Sequence, residues 1–199
     1  TMDVYRLMSK TSLRDATKAG AEVVKQSKNP KMASLLYPGL QTLDEEYLDV
    51  DCQFGGVDQR KIFMMAEKYL PMMGYKKRIH LMNPMIKSFN EDGGDKMSSS
   101  DVNSKIDLID TPKKIRKKIG KAYCAEKDIS SGLFQFFEKV IYKIIRDNSK
   151  TIEFNRPEEY GGNIICNDIQ SVKDKILSGE IHPVDFKQYI SQFLITLLE

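Results

Sequence analysis

Residues 47–59, YLDVDCQFGGVDQ, combine an alternating stretch, a glycine pair and a helix start, and they decide the fold class. Apolar side chains occupy every second position before the glycines, which predicts a β-strand over residues 47–54. The glycine pair ends this strand, and Asp58 opens a helix whose apolar residues recur at helical spacing. A second short strand is predicted over Arg78–Met82. Strand, turn, helix and strand make a βαβ unit, in which the strands run parallel and the crossover is right-handed.

The character of the chain changes near residue 110. Asp110-Thr111-Pro112 places an N-cap candidate directly before a proline, which is typical of a helix start. Beyond it the sequence indicates no pair of strands, whereas upstream Tyr37-Pro38-Gly39 is expected to interrupt a helix. The predicted fold class is α/β, with an α/β part over residues 1–110 and an all-helical part over residues 111–199. Helices are predicted over residues 11–26, 112–123, 131–147, 171–178 and 183–199.

Composition limits the classes of protein that the chain can belong to. Of its 199 residues, 41% are hydrophobic and 30% are charged, which indicates a globular protein with a sizeable core. The net charge of +3 is too small to establish a polyanionic partner. Cys52, Cys124 and Cys166 form no Cys-x-x-Cys pair, and with two histidines they argue against a zinc site or a disulfide framework. No signal peptide and no membrane-spanning apolar run is found, so we expect a cytoplasmic protein without a membrane partner.

Two polar patterns in the first part suggest a small-molecule site. Ligands of open α/β sheets bind at the carboxyl ends of strands, where Gly56 and Asp58 are expected to lie. Tyr37, Gln41 and Asp44 stand at i, i+4 and i+7, which places them on one face of a helix. A carboxylate can accept a bond from a hydroxyl, while an amide and a phenol can orient an amine. Taken alone, the two patterns fit a capped turn and a solvated helix face better than they fit a site.

The stretch KMSSSD, residues 96–101, follows the glycines Gly93 and Gly94. A lysine ammonium, serine hydroxyls and a pliable backbone suit a loop that handles phosphates. The alternative interpretation is a flexible, solvated surface loop.

Three stretches together carry a resemblance to a known family: residues 37–63, 77–85 and 96–101, which read YPGLQTLDEEYLDVDCQFGGVDQRKIF, KRIHLMNPM and KMSSSD. In this order and spacing they resemble the tyrosyl-tRNA synthetases of the archaeal and eukaryotic type. The resemblance implies a class I synthetase, with the second half of a Rossmann-type parallel sheet, a connecting segment and the signature loop over residues 1–110. It also implies a helical anticodon-binding domain over residues 111–199.

For the amino acid, the resemblance implies a site for tyrosine. Tyr37, Gln41 and Gln59 would hold the amino group of tyrosine and its surroundings. Asp44 would accept a hydrogen bond from the substrate phenol.

For ATP, which would act as a substrate with Mg²⁺, the resemblance implies contacts on both strands. Gly56 and Asp58 would meet the ribose, and the strand end at Met82 would offer backbone groups to adenine. No prosthetic group and no protein-bound metal is expected. The signature loop would close over ATP, and Lys96 would steady the departing pyrophosphate. The residues of this loop are Lys96, Met97, Ser98, Ser99 and Ser100.

For tRNA(Tyr), the resemblance implies an anticodon site in the second part. Tyr160 and His182 would stack on the first anticodon base, and Asp185 would accept hydrogen bonds from that guanine. Aromatic stacking with one base-edge contact is the usual pattern for single-stranded RNA. Without the resemblance, these residues would be read as ordinary surface residues. The basic helix over residues 112–123 fits tRNA contact and a solvated face equally well.

The resemblance also predicts assembly and completeness. The apolar helix within residues 5–36 matches a dimer-forming segment, so a homodimer is expected. The His-x-Gly-His type signature of the family's first half is not found in the sequence, so we expect an incomplete synthetase chain. Two alternatives are a non-catalytic fragment that binds tRNA or dimerises, and a tryptophanyl-tRNA synthetase.

If the first half is needed to close the ATP site, the 199-residue chain by itself will show no tyrosine-dependent ATP–pyrophosphate exchange. The measurement requires a sample whose intact mass has been verified. Exchange above the background of a tyrosine-free control would contradict this expectation.

Overall fold

The structure is a computed structural model, and it divides the chain into two compact units, Thr1–Met85 and Ile86–Glu199. The division falls before the boundary predicted near residue 110, and the functional domain assignment stays a prediction. The signature loop at residues 96–100 lies outside the described part of the chain. The structure describes residues 2–21, 28–90, 105–148 and 151–199.

The first unit is built on two parallel strands joined by a helix. Strands β1 and β2 pair in parallel register from Cys52 opposite Ile79 to Gly56 opposite Asn83. This confirms the predicted βαβ unit, and in the described ranges three helices precede it. The elements are α1 (Met2–Lys10), α2 (Leu13–Ala19), α3 (Met32–Tyr47), β1 (Cys52–Gly56), a 3₁₀ turn (Val57–Gln59), α4 (Arg60–Tyr69), a second 3₁₀ turn (Pro71–Met73) and β2 (Ile79–Asn83).

The predicted start of the first strand at residue 47 is wrong. Helix α3 continues to Tyr47, and Asp49 then adopts a left-handed backbone with φ of 46°. The alternation of residues 47–51 therefore belongs to a helix end and a turn. The strand begins only at Cys52.

The expected interruption at Tyr37-Pro38-Gly39 is also wrong, because Pro38 lies inside α3 and is buried. Proline has no N–H, so the Ser34 carbonyl loses its helical donor at this point. Helix α2 ends at Gly20 against that carbonyl, since a Cβ on Gly20 would lie 2.7 Å from the Ser34 oxygen. Close packing against α2 thus stabilises α3 as one continuous helix at Pro38, where a proline would ordinarily end or kink it. The prediction of a helix to residue 26 holds to Ala19, and residues 22–27 are outside the described chain.

The second unit is mostly helical around an aromatic core. Phe137 meets Phe186 edge-on at 5.2 Å between ring centroids, and both side chains are buried. The predicted helices are confirmed with small shifts of their ends. They are α5 (Pro112–Lys121), α6 (Gly132–Phe136) continuing through a π-helical segment (Phe137–Ile141) into α7 (Tyr142–Asp147), α8 (Ile169–Ser178) and α9 (Pro183–Leu198).

The prediction that this part is all-helical is wrong. Strand β3 (Ile152–Phe154) pairs antiparallel with β4 (Ile164–Cys166). Each strand buries its two end residues and exposes the middle one. Three residues are too few for the alternation to stand out in a sequence.

Helix α5 carries the basic run, and one of its lysines faces inward. Lys118 is buried and forms an ion pair with Asp110, which is also nearly inaccessible. Burial alone would raise the pKa of Asp110, but hydrogen bonds from Lys118 and from the Asp107 backbone outweigh it and leave that pKa below its ordinary value. Five cationic residues of the run remain exposed: Lys113, Lys114, Arg116, Lys117 and Lys121.

Gly132→Ala should lower the free energy of unfolding by about 2–4 kcal/mol, because its Cβ would lie 2.0 Å from the Ser88 carbonyl oxygen. Gly120→Ala is the matched control, since a Cβ on Gly120 in α5 meets nothing within 4 Å. This control should stabilise the protein by up to about 1 kcal/mol. Guanidinium unfolding of both variants provides the measurement, and equal effects would contradict the packing.

Asp3→Asn should reduce the loss of folding stability that occurs when the pH is lowered. The Asp3 carboxylate accepts hydrogen bonds from Tyr47 (2.7 Å), Tyr75 (2.8 Å) and Arg6 (3.2 Å), and these bonds, that of Tyr47 foremost, lower its pKa from 3.8 to about 2. A lowered folded-state pKa contributes stability above the unfolded value, and this contribution is lost as the pH falls from about 4 towards 2.

The measurement is the urea midpoint at about pH 5 and about pH 2.5. Wild type should lose more stability than Asp3→Asn over this interval. Asp49→Asn, at an exposed carboxylate outside the cluster, should behave like wild type. Parallel losses in wild type and Asp3→Asn would refute the role of Asp3.

Candidate functional site

The carboxyl ends of β1 and β2 meet at one edge of the first unit. Gly56 ends β1, and the 3₁₀ turn that follows carries Asp58 and Gln59 into α4. A Cβ on Gly56 would lie 2.4 Å from Oδ1 of Asp58 and 2.9 Å from Sδ of Met85, so a larger residue there would displace these two side chains. Met82 lies near the end of β2, opposite Gly55, and is 40% exposed. Residues at the edge where ligands of parallel sheets bind are therefore accessible.

Helix α3 brings a polar face to this edge. Nε2 of Gln41 donates to Oε1 of Gln59 at 3.0 Å, and Nε2 of Gln59 donates to Oδ2 of Asp58 at 3.2 Å. Tyr37 and Asp44 lie on the same helix with exposed side chains. Within the described chain, Oε1 of Gln41 is buried and accepts no hydrogen bond. The site thus has a hydrogen-bonded amide–amide–carboxylate chain with one acceptor left for an incoming donor.

Sequence reasoning missed a second polar contact of α3. Nε2 of His80 in β2 donates to Oε1 of Glu45 at 2.7 Å, and the Phe63 ring stacks on the imidazole at 4.6 Å with an interplanar angle of 4°. Glu45 lies in the acidic run DEEY, which reads as a solvated stretch. Its spacing of four residues from Gln41 was the one signal that it faces the sheet.

In the second unit, the residues predicted to bind the anticodon lie on two segments. Tyr160 ends a 3₁₀ turn (Glu158–Tyr160) and is 67% exposed. His182 caps α9, where its Nδ1 accepts from the Val184 backbone at 3.2 Å, and its Nε2 lies 3.2 Å from Oε1 of Glu126. Asp185 lies in the first turn of the same helix.

Arg156 joins these two segments. Its Nε donates to the Gly162 carbonyl at 3.2 Å, and its Nη1 donates to the Glu180 carbonyl at 3.1 Å. The same Nη1 lies 3.7 Å from Oδ2 of Asp185, too far for a hydrogen bond but close enough for charge attraction. Arg156 therefore holds the loop of Tyr160 against the turn that leads into α9.

A cavity of about 460 Å³ opens beside Asp185. Gln188, Tyr189 and Gln192 of α9 line it, and burial raises the pKa of Tyr189 to about 12. Oδ2 of Asp185 is buried without a hydrogen-bond partner among the described residues. The cavity offers an acceptor, amides and an aromatic wall, which together suit a planar polar group.

Neither a metal centre nor a membrane span is found in the described ranges. No three His, Cys, Asp or Glu side chains group there as a metal site would require. None of the helices in those ranges has the length and apolar character to cross a bilayer. Lys96, Met97, Ser98, Ser99 and Ser100 lie outside the described residues, so their role stays a prediction.

A family model for tRNA synthetases class I (W and Y) matches residues 1–199. The cytoplasmic tyrosine–tRNA ligase of Xenopus tropicalis is 49% identical over 200 residues, which cover 100% of this chain and 37% of that protein. The cytoplasmic tyrosine–tRNA ligase of Saccharomyces cerevisiae is 47% identical over 204 residues, covering 100% of this chain and 51% of that protein. The chain thus spans from about a third to about half of the length of these relatives.

Solved structures show the same likeness. The tyrosyl-tRNA synthetase of Archaeoglobus fulgidus, complexed with L-tyrosine, superposes with a TM-score of 0.82 at 30% identity, covering 99% of this chain and 60% of that chain. The enzyme of Pyrococcus horikoshii, also complexed with L-tyrosine, gives a TM-score of 0.84 at 21% identity, covering 100% of this chain and 61% of that chain. At that lower identity the second match shows the fold alone.

Proposed function

Because this chain belongs to the class I tRNA synthetases (W and Y), we propose that it carries the second half of the catalytic fold and the anticodon-binding part of a tyrosine–tRNA ligase. The observation that carries the proposal is the polar face of α3, where Gln41 is bonded to Gln59 and Asp44 stands exposed one turn further on. The names of the relatives support the substrate and a cytoplasmic location.

Tyrosine recognition divides between the two ends of the substrate. The free, buried oxygen of Gln41 can accept from the substrate ammonium, with Gln59 and Tyr37 beside it. Asp44 accepts the phenol O–H at the other end. A carboxylate bonded to the phenol hydroxyl selects tyrosine over phenylalanine. The relatives, which are named tyrosine–tRNA ligases, favour tyrosine over tryptophan as the substrate.

Activation is an in-line attack of the tyrosine carboxylate on the α-phosphate of ATP. A bond forms between the carboxylate oxygen and phosphorus, the bond to the bridging oxygen breaks, and pyrophosphate leaves with its electrons. Gly56 and Asp58 hold the ribose, and the backbone near Met82 meets adenine. The ammonium of Lys96 with the hydroxyls of Ser98 and Ser100, and Mg²⁺ carried by ATP, would stabilise the charge on the departing pyrophosphate.

The second unit binds the tRNA that receives the tyrosyl group. Tyr160 and His182 supply stacking surfaces, and Asp185 supplies the base-edge acceptor. Arg156 supports the arrangement by joining the segments that carry them. The homodimer is part of the same proposal, and light scattering tests it.

The proposal requires tyrosine-dependent ATP–pyrophosphate exchange from an active protein that contains this chain. A non-catalytic fragment would bind tRNA and exchange nothing, and a tryptophan enzyme would exchange only with tryptophan. Either result would replace the proposed function.

In such an exchange-active protein, Asp44→Ala should lose most of its preference for tyrosine over phenylalanine. A site that bonds a substrate hydroxyl rejects the analogue without it by about 10⁴–10⁵, a range set by tyrosyl-tRNA synthetases themselves. Exchange kinetics with the two amino acids provide the measurement. Asp51→Ala removes an exposed carboxylate paired with Lys76 and should leave the preference unchanged. Unchanged preference in Asp44→Ala would refute the role of Asp44.

Asp185→Ala should weaken charging of natural tRNA(Tyr) by about 1–3 kcal/mol, but cost little with tRNA altered at the first anticodon base. Tyr160→Ala should cost a similar amount with either tRNA, since stacking tolerates any base. Neither change should alter ATP–pyrophosphate exchange, which serves as the control. If the losses from Asp185→Ala and from the base change simply add, the two do not touch.

A further inference from the structure

The contact between Glu45 and His80 is almost fully inaccessible. Their side chains are 1% and 7% exposed, and the Phe63 ring covers the imidazole. Gly55 in β1 packs closely against Phe63, since a Cβ there would lie 3.1 Å from Cζ of Phe63, which is tighter than an ordinary contact. The pair therefore lies in a closed space between α3, α4 and the two strands.

Stability alone does not account for this pair. Taking a carboxylate out of water costs several kcal/mol, and apolar residues of similar size often replace such pairs without loss. Oε2 of Glu45 is buried with no hydrogen-bond partner in the described part of the chain, which adds to the cost. Whatever its net free energy, a directional bond between two elements restricts their relative distance and orientation.

The pair acts on the helix that carries the proposed tyrosine site. Glu45 follows Gln41 by four residues, so both side chains leave α3 on one face. Gln41 is bonded to the turn after β1, and Glu45 is bonded to β2. Two directional bonds about one helical turn apart oppose both rotation and sliding of α3. Asp44 lies between them in sequence and moves with any such displacement.

We propose that Glu45 and His80 are positioning residues, whose buried hydrogen bond sets the place of Asp44 and so the enzyme's preference for tyrosine. The inference rests on the proposed function. Neither residue touches the substrate in this scheme. What matters is the length of the Glu45 side chain and its acceptor oxygen, since any acceptor at that distance can receive the imidazole N–H.

Two substitutions separate length from charge. Glu45→Gln keeps the side-chain length and an acceptor oxygen but loses the charge. Glu45→Asp keeps the charge but draws the carboxylate back by one methylene. In an exchange-active protein, Glu45→Asp should lower the discrimination between tyrosine and phenylalanine by about tenfold to a hundredfold, whereas Glu45→Gln should stay within about threefold of wild type.

Glu46 provides a matched control one residue along α3. Its Oε2 lies 2.7 Å from Nη2 of Arg78, and its side chain is 32% exposed. Glu46→Gln and Glu46→Asp make the same chemical changes in a pair that does not lie on the Gln41 face. Both should leave discrimination within about twofold of wild type, whatever they do to the melting temperature.

A double variant tests whether the two residues act through one bond. Adding His80→Ala to Glu45→Asp should lower discrimination no further than the larger single loss. Additive losses would overturn the proposal, as would Glu45→Asp discriminating as well as Glu45→Gln, or equal losses in the Glu46 controls. A wild-type protein that shows no tyrosine-dependent exchange would instead remove the proposed function, and the two failures are thus distinct.

Discussion

The parallel pairing of β1 and β2 is the constraint on which the candidate catalytic site depends. It brings Gly56 and Asn83, the last residues of the two strands, to the same edge. Parallel strands need a crossover, and α4 provides it with its first turn at that edge. Gln59 is the last residue of the 3₁₀ turn at this edge. A helix that is hydrogen-bonded to Gln59 is therefore held next to the ends of both strands. Helix α3 is held in this way, and its exposed face becomes one wall of the site.

The sequence predicts the elements with strong periodicity and misses those shaped by packing. Alternation and the glycine pair predict the βαβ unit, and helical spacing predicts α9. Residues 47–51 alternate like a strand, but packing of α1 and α2 extends α3 through Pro38 and shifts the strand start to Cys52. Strands β3 and β4 were missed because three residues show no period. Local pattern cannot reveal contacts made by another element.

The candidate sites divide in the same way. The spacing of Tyr37, Gln41 and Asp44 predicted a shared helix face, and α3 presents it. The bond from Gln41 to Gln59 joins positions 18 residues apart, and that from His80 to Glu45 joins positions 35 apart. Neither bond could be predicted from the spacing of residues along the sequence. Each depends on how the βαβ unit folds back against α3. Arg156 links its loop to Glu180 by the same kind of long-range contact.

Each of the two units contains buried side-chain oxygens that have no hydrogen-bond partner among the described residues. Among the described residues, such side-chain oxygens lie only on α3, on β1 and at Asp185. Each costs about 1–3 kcal/mol when it stays unpaired, so stability alone would favour apolar replacements. The rest of the described chain pairs its buried polar side chains, as Lys118 does with Asp110. In the first unit Oε1 of Gln41 lies at the proposed tyrosine site, and in the second unit Oδ2 of Asp185 lies at the proposed anticodon site. A site that binds a polar ligand needs hydrogen-bond acceptors that are not already bonded to other groups of the protein.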